Sequence, residues 1–382
     1  MADYTTIDDP SAYFQTALYT GAGASQTVTN DGNSDLQPDF LWIKRRNAGY
    51  GHVLVDSNRG LGSSNPPYLA SEAVDAENSN QNWISGVGTD GFTIGINEQN
   101  LSNTSGTYVA WQWKANGGTT TSVSASGTGS GCVNACTHQA NTTAGFSIIT
   151  YTGRDDQLSN GQESKLTHGL GVAPSVFICK RRDGNSNWYY LGGKMVTTNN
   201  GWNNVHLLLN QTAAGDGNSY TSNTEPDSTY IYLGNQLVNT VDSWVGYAFA
   251  EKQGYSKFGK YTGNSHSGGD GPFIYTGFAP AWVMIKRTDA ANDWVVHTYK
   301  LGTISGTGSE KGNIGNENTA ALRANENSAV DEWGSIDMLS NGFKPRSDAA
   351  SVNASGTYIY AAFAAHPFVT STDTNSIPAT AR

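Results

Sequence analysis

Pro280-Ala281-Trp282-Val283-Met284-Ile285-Lys286-Arg287 is an apolar run opened by a proline and closed by two cations. The same arrangement stands at Pro38-Asp39-Phe40-Leu41-Trp42-Ile43-Lys44-Arg45 and at Pro174-Ser175-Val176-Phe177-Ile178-Cys179-Lys180-Arg181. A short apolar run bounded in this way reads as a β-strand, and a proline at its first position removes no ladder donor. Working outward, each run is preceded by an aromatic strand that ends in Tyr-Thr-Gly, at Tyr19-Thr20-Gly21, Tyr151-Thr152-Gly153 and Tyr261-Thr262-Gly263. Each is followed by a cluster around His52, Trp188 or Trp294, and then by an alternating apolar strand. Those closing strands are Thr107-Tyr108-Val109-Ala110-Trp111, Ser243-Trp244-Val245-Gly246-Tyr247-Ala248-Phe249 and Thr357-Tyr358-Ile359-Tyr360-Ala361-Ala362-Phe363.

The spacing supports a repeat. From Pro38 to Tyr108 and from Pro174 to Trp244 the gap is 70 positions, and from Pro280 to Tyr358 it is 78, the excess falling in a Gly/Asn/Glu-rich stretch at 306–318. Polar loops are where duplicated β units tolerate insertions. The expectation is a soluble all-β protein of three tandem β-sandwich units, jelly-roll or lectin-like. The boundaries are an N-terminal arm at 1–10, units at 11–116, 144–254 and 255–368, a Gly/Ser/Thr linker at 117–143, and a polar C-terminal tail at 369–382. The second and third units adjoin at Gln253-Gly254-Tyr255-Ser256 with almost no spacer and are expected to pack together.

Composition points the same way. Glycine supplies 45 of 382 residues, charged types only 14%, and aromatics 11%, which favours turns and half-buried pleated surfaces over helices. Twenty-two Lys and Arg against 32 Asp and Glu leave a formal charge of −10. The basic triplets Lys44-Arg45-Arg46 and Lys180-Arg181-Arg182 are too short to track a phosphate backbone, so nucleic acid is not expected as a partner, and they read as solvated strand ends. No secretory signal and no long apolar span are visible, so membrane insertion is not expected.

The search for chemistry ends in binding rather than catalysis. A glycosidase needs two carboxylates about 5–10 Å apart in a cleft, whereas Glu72, Asp75, Glu77, Glu225 and Asp227 sit in loops and no pair recurs. His168-Gly169-Leu170-Gly171 is similar to an esterase oxyanion loop, yet no Gly-x-Ser-x-Gly elbow accompanies it, so it reads as a tight turn with a structural His168. Cys179 reads as a core residue. Cys132 and Cys136, with His138 nearby, read as free thiols or a surface disulfide, with an incomplete metal site as the alternative. No cofactor is expected; calcium is the one ion that the oxygen-rich loops at 97–103 and 216–227 admit, without following the calcium-loop template. Trp83, Trp202, Tyr220, Tyr230 and Trp333 lie outside the obvious core strands and are the candidate ligand-binding residues, although the three tryptophans fall in the middle stretch of each unit and read first as core residues of a divergent strand.

Several strings carry a family resemblance: Thr167-His168-Gly169-Leu170-Gly171-Val172-Ala173-Pro174, Pro280 through Arg287 as quoted, Leu339-Ser340-Asn341-Gly342-Phe343-Lys344, and Asn353-Ala354-Ser355-Gly356-Thr357-Tyr358-Ile359-Tyr360. With the opening Tyr4-Thr5-Thr6-Ile7-Asp8-Asp9-Pro10-Ser11, they resemble a family of repeat-bearing proteins common in tailed phages, particularly marine ones. The resemblance covers nearly the whole chain. It implies a virion structural or tail-fibre protein with lectin-like β-rich units, and it carries over no catalytic or binding residue. The function expected from it is a non-enzymatic tail-fibre or tail-tip component that contributes to recognition of a host-surface glycan. The alternative is a capsid decoration or tail scaffold protein with purely structural contacts, and a glycan depolymerase ranks third. The expected partners are other virion proteins, copies of the chain itself and a surface glycan; the expected place is the virion, assembled in a bacterial host cytoplasm.

Overall fold

A computed structural model describes residues 5–368 except 64, 79–82, 156–157, 160, 193–204, 218–223, 239, 267–268, 302, 306–308 and 312–316. The protein is all-β, built from antiparallel sheets; among the described residues the only helical elements are three-residue 3₁₀ turns at Pro10–Ala12, Ser57–Arg59 and Asn235–Leu237. No helix among them is long and apolar enough to cross a membrane. The tail at 369–382 lies outside the described residues.

Three sets of four strands pair in one order, first-fourth-second-third. The sets are Phe14–Thr20, Thr107–Trp113, Phe40–Arg45 and Val53–Asp56; Phe146–Thr152, Ser243–Phe249, Val176–Arg181 and Trp188–Gly192; Ser256–Gly263, Gly356–Pro367, Phe278–Arg287 and Trp294–Thr298. The register agrees as well: Tyr19 faces Tyr108, Tyr151 faces Trp244 and Tyr261 faces Tyr358.

Side chains alternate between the faces of a strand, and here both faces are apolar. One face of each set turns to a single central core that joins Phe40, Trp42 and Trp113 with Phe146, Ile178, Tyr247 and Phe249, and with Trp282, Met284 and Phe363. An apolar void of about 30 Å³ remains at its centre. The opposite faces fill three separate cores, represented by Leu41, Ile43 and Phe92, by Phe177, Cys179 and Leu233, and by Val283, Ile285 and Phe343. The second layers are the Gln26–Thr29, Ile84–Gly88 and Gly91–Ile94 strands, the Glu163–Thr167 and Tyr230–Gly234 pair, and a continuation of the third sheet through Glu317–Arg323, Asp331–Leu339, Gly342–Pro345 and Ile274–Tyr275. Each set is thus a two-layer, sandwich-like stack whose inner sheet also walls a common centre.

Two expectations change. The stretch at 117–143, read as a linker, carries the strands Thr121–Val123 and Cys136–Asn141, which extend the second sheet with Asn141 opposite Phe146 and Cys136 opposite Tyr151. Its glycines serve turns rather than slack: Gly127, Gly129 and Gly131 all have positive φ, which a β-carbon would strain. Cys132 and Cys136 are buried and form no disulfide, so the surface-disulfide reading fails; burial pushes the Cys136 thiol up to about 11. The arm is also tied down, since Thr5 Oγ1 donates to the Gln253 carbonyl at 2.7 Å and Ile7 joins the central core.

The basic triplets are corrected too. Lys44, Lys180 and Lys286 are fully buried rather than solvated. Lys44 Nζ donates to the carbonyls of Arg45, Tyr50 and Asn327 at 2.9, 2.8 and 3.1 Å. Lys180 Nζ donates to Val74 and Arg181, and Lys286 Nζ to Thr212 and Arg287. Each lysine therefore clasps a loop of another set: the first holds the third, the second the first, and the third the second. His52 Nε2 to the Arg323 carbonyl, Trp188 Nε1 to Ala70 and Trp294 Nε1 to Leu208 repeat the cycle, as do the amides of Val330, Glu77 and Gly215 on the carbonyls of Arg46, Arg182 and Thr288. The ring closes on itself. Burial lowers each lysine to about 8, so the carbonyls must compensate a real desolvation cost.

Lys44→Met keeps the stem and removes three donors, stranding three carbonyls. A loss of about 1–3 kcal/mol in urea unfolding is expected, against about 0.5 kcal/mol or less for Lys260→Met, whose side chain is exposed. Equal effects of the two substitutions would remove the clasp.

Candidate functional site

The five candidate residues do not converge. Trp83 is 8% exposed, stacks on Tyr68 at 4.2 Å between ring centroids and belongs to the first separate core, which corrects its reading as a ligand contact. Its ring is spent on packing, in the buried cluster that also holds Phe92 and Leu101. Tyr230 is half-buried on the Tyr230–Gly234 strand, with Lys165 Nζ 5.5 Å above its ring. Trp333 falls on the Asp331–Leu339 strand, and Trp202 and Tyr220 lie outside the described residues.

The loop carboxylates hold turns. Glu72 accepts the His52 amide through both oxygens at 3.2 Å, and burial raises its carboxyl above the ordinary range. Asp227 accepts the amides of Thr229 and Tyr230 at 2.6 and 2.7 Å and the Tyr232 hydroxyl at 2.7 Å. Glu77 grips Arg182 through two bonds of 2.9 and 2.8 Å. The loop at 97–103 is closed by Tyr108, whose hydroxyl donates to the Gln99 carbonyl and accepts from the Asn103 amide. Of the loop at 216–227, residues 218–223 lie outside the described residues. Among the described residues no group of three His, Cys, Asp or Glu is placed to hold a metal ion.

His168 organises its turn. Its Nδ1 accepts the Leu170 amide at 3.1 Å, so Nε2 carries the proton and donates to the Asp227 carbonyl at 3.1 Å. Burial lowers its basicity, which keeps the ring neutral in that pattern.

The exposed aromatics lie elsewhere. Phe273 and Tyr275 are 47% and 53% exposed on either side of buried Ile274, so alternation puts both rings on one outward face at the edge of the third sheet. The neighbouring strand makes room. A β-carbon on Gly342, opposite Tyr275, would meet the Ile274 carbonyl oxygen at 2.1 Å and the Phe273 ring at 3.1 Å. Lys344, two residues on, pairs with Asp270 at 2.6 Å and holds that carboxyl below its ordinary value. Asn264 Nδ2 donates to the Asp270 carbonyl at 2.8 Å, and Arg346 to Gly269 at 2.8 Å, which fixes the loop beside the rings. Two apolar ring faces flanked by a fixed acid and base form a ledge suited to the mixed faces of a sugar. The sequence signal was the string Gly271-Pro272-Phe273-Ile274-Tyr275, where aromatics recur every second residue around an apolar one.

Fold and site together define an all-β protein of packed antiparallel sheets that offers an aromatic surface ledge. The chain belongs to the family described as "Domain of unknown function (DUF7483)", whose model matches residues 9–367. Comparison with curated proteins and with solved structures gave no match.

Proposed function

We propose that this protein is a bacteriophage virion component of the tail-fibre or tail-tip kind, which contributes to host recognition by holding a surface glycan on the Phe273–Tyr275 ledge. The observation that carries the reading is that ledge: two large rings about half exposed beside polar groups, in a chain whose described aromatics are mostly buried in four cores. Solvent-exposed rings cost free energy unless something covers them. The likeness of the sequence to repeat-bearing phage proteins supports the setting, and the turn-holding roles of the described loop carboxylates favour binding over hydrolysis.

The test pairs wild type with a Phe273→Ala/Tyr275→Ala variant on intact host cells and on a glycan array. The variant is expected to bind about ten-fold or more weakly, equivalent to ~1.4 kcal/mol, at an unchanged melting temperature. Wild-type protein that binds neither cells nor millimolar sugar, or a variant that binds as well as wild type, would remove the reading.

A further inference from the structure

A second opening lies on the other side of the molecule's chemistry, in the strands that the glycine-rich stretch contributes. A shallow groove of about 300 Å³ is lined by Ser122, Thr137, Thr150, Thr152, Ser243 and Arg182, with Val123 and Ala135 supplying apolar surface. That volume is at the lower end for small-molecule sites, roughly 300–1,000 Å³. The hydroxyls come from adjacent strands in register: Ser122 opposite Thr137, Thr137 opposite Thr150, and Thr152 opposite Ser243.

The hydrogen-bond polarity is set. Thr137 Oγ1 donates to Asn58 Oδ1 at 3.2 Å, so the 2.6 Å contact between Thr137 and Thr150 uses the Thr150 proton and leaves Thr150 lone pairs as acceptors. The hydroxyls of Ser122, Thr152 and Ser243 have no partner among the described residues and stay free to donate or accept. Arg182 spends Nε and Nη2 on Glu77 and keeps Nη1 as a donor. Its charge is answered by Glu77, so the guanidinium that lines the groove is neutralised.

Among the described residues, the first and third sets lack this lining. In the first and third sets Leu18 and Lys260 stand where Thr150 stands, facing Val109 and Ile359 as Thr150 faces Val245, and among the described residues no further strand pairs beyond Phe14–Thr20 or Ser256–Gly263. The geometry points to a neutral saccharide as the ligand of this groove: hydroxyls that both donate and accept, a small apolar wall, and a neutralised guanidinium match a polyhydroxylated ring and give no advantage to an anion. This site is separate from the aromatic ledge and stands if the ledge fails.

The test uses the full chain with labelled threonine methyls, titrated in NMR with glucose, galactose and N-acetylglucosamine, and with glucuronate as the anionic probe. At least one neutral sugar is expected to shift the Thr137, Thr150 and Thr152 resonances saturably in the millimolar range, with glucuronate weaker. Thr152→Val/Ser243→Ala should weaken that sugar at least ten-fold without changing the melting temperature, with Ser122→Ala as a second variant should the first be destabilised. Phe273→Ala/Tyr275→Ala should leave the groove shifts unchanged. Absence of saturable shifts with all three neutral sugars, tighter binding of glucuronate, or full binding by the hydroxyl-deleted variants would overturn the assignment.

Discussion

Trp282→Ala is expected to cost about 3–5 kcal/mol, the range for truncating a large buried aromatic, and to loosen all three strand sets together. Trp282 is 2% exposed and meets Trp111, Trp113 and Phe363 at 6.2, 5.9 and 5.7 Å between centroids. Two of those neighbours belong to the first set and one to the third, and the cluster continues through Phe249 into the second. A cavity left there removes contacts from three sheets at once, because a dense interior relaxes only partly around a missing ring. The clasping lysines add to the coupling, since a set that loosens releases the loops held by its neighbours. Hydrogen exchange on the variant should therefore rise in the strands 40–45, 176–181 and 278–287 alike, within one cooperative urea transition. A rise confined to residues 255–368 would mean that the sets are energetically separate and that the common core contributes little.

The strands were legible in the sequence because their signals are local. A proline, a short apolar run and a cation mark each second strand, and alternation marks each fourth one. The central core was harder to read, although a trace of it was present: Phe40-Leu41-Trp42-Ile43 is apolar without a break, and all four are buried. An unbroken run signals a strand covered on both faces, which a lone sandwich does not require. Lys44 could not be read as buried, because its carbonyl cage includes Asn327, 283 positions away. Cys136-Thr137-His138-Gln139-Ala140-Asn141 was missed for a different reason: its strand is polar and short, and only pairing with Phe146–Thr152 gives it a place. Among the site residues, tryptophan content was a poor guide. Trp83 is buried because an indole repays burial, whereas the smaller Phe273 and Tyr275 stay outside because Ile274 between them takes the inward position.

Asp56→Ala should cost about as much as losing the central tryptophan, roughly 3–5 kcal/mol, for an electrostatic reason. Asp56 and Arg59 are both fully buried at the join between the first and second sets, 2.6 Å apart. The Asp56 carboxylate also accepts the Tyr247 hydroxyl at 2.8 Å and the Arg59 amide at 2.9 Å. Burial works against the Arg59 charge, but Asp56, Tyr247 and Glu77 more than offset it and raise the guanidinium above its ordinary value. Removing the carboxylate leaves that cation in a dry site with Glu77 as its remaining anionic contact, at 3.4 Å, and Glu77 is already shared with Arg182. The cost is thus set by a stranded charge rather than by the bond lost, and removing both partners should undo most of it. Asp56→Ala/Arg59→Met is expected to recover more than half of the single-variant loss in urea unfolding at neutral pH. A single variant within about 1 kcal/mol of wild type, which is the scale of an exposed pair, would show that water reaches the cluster and that the join between the two sets is held by its apolar contacts alone.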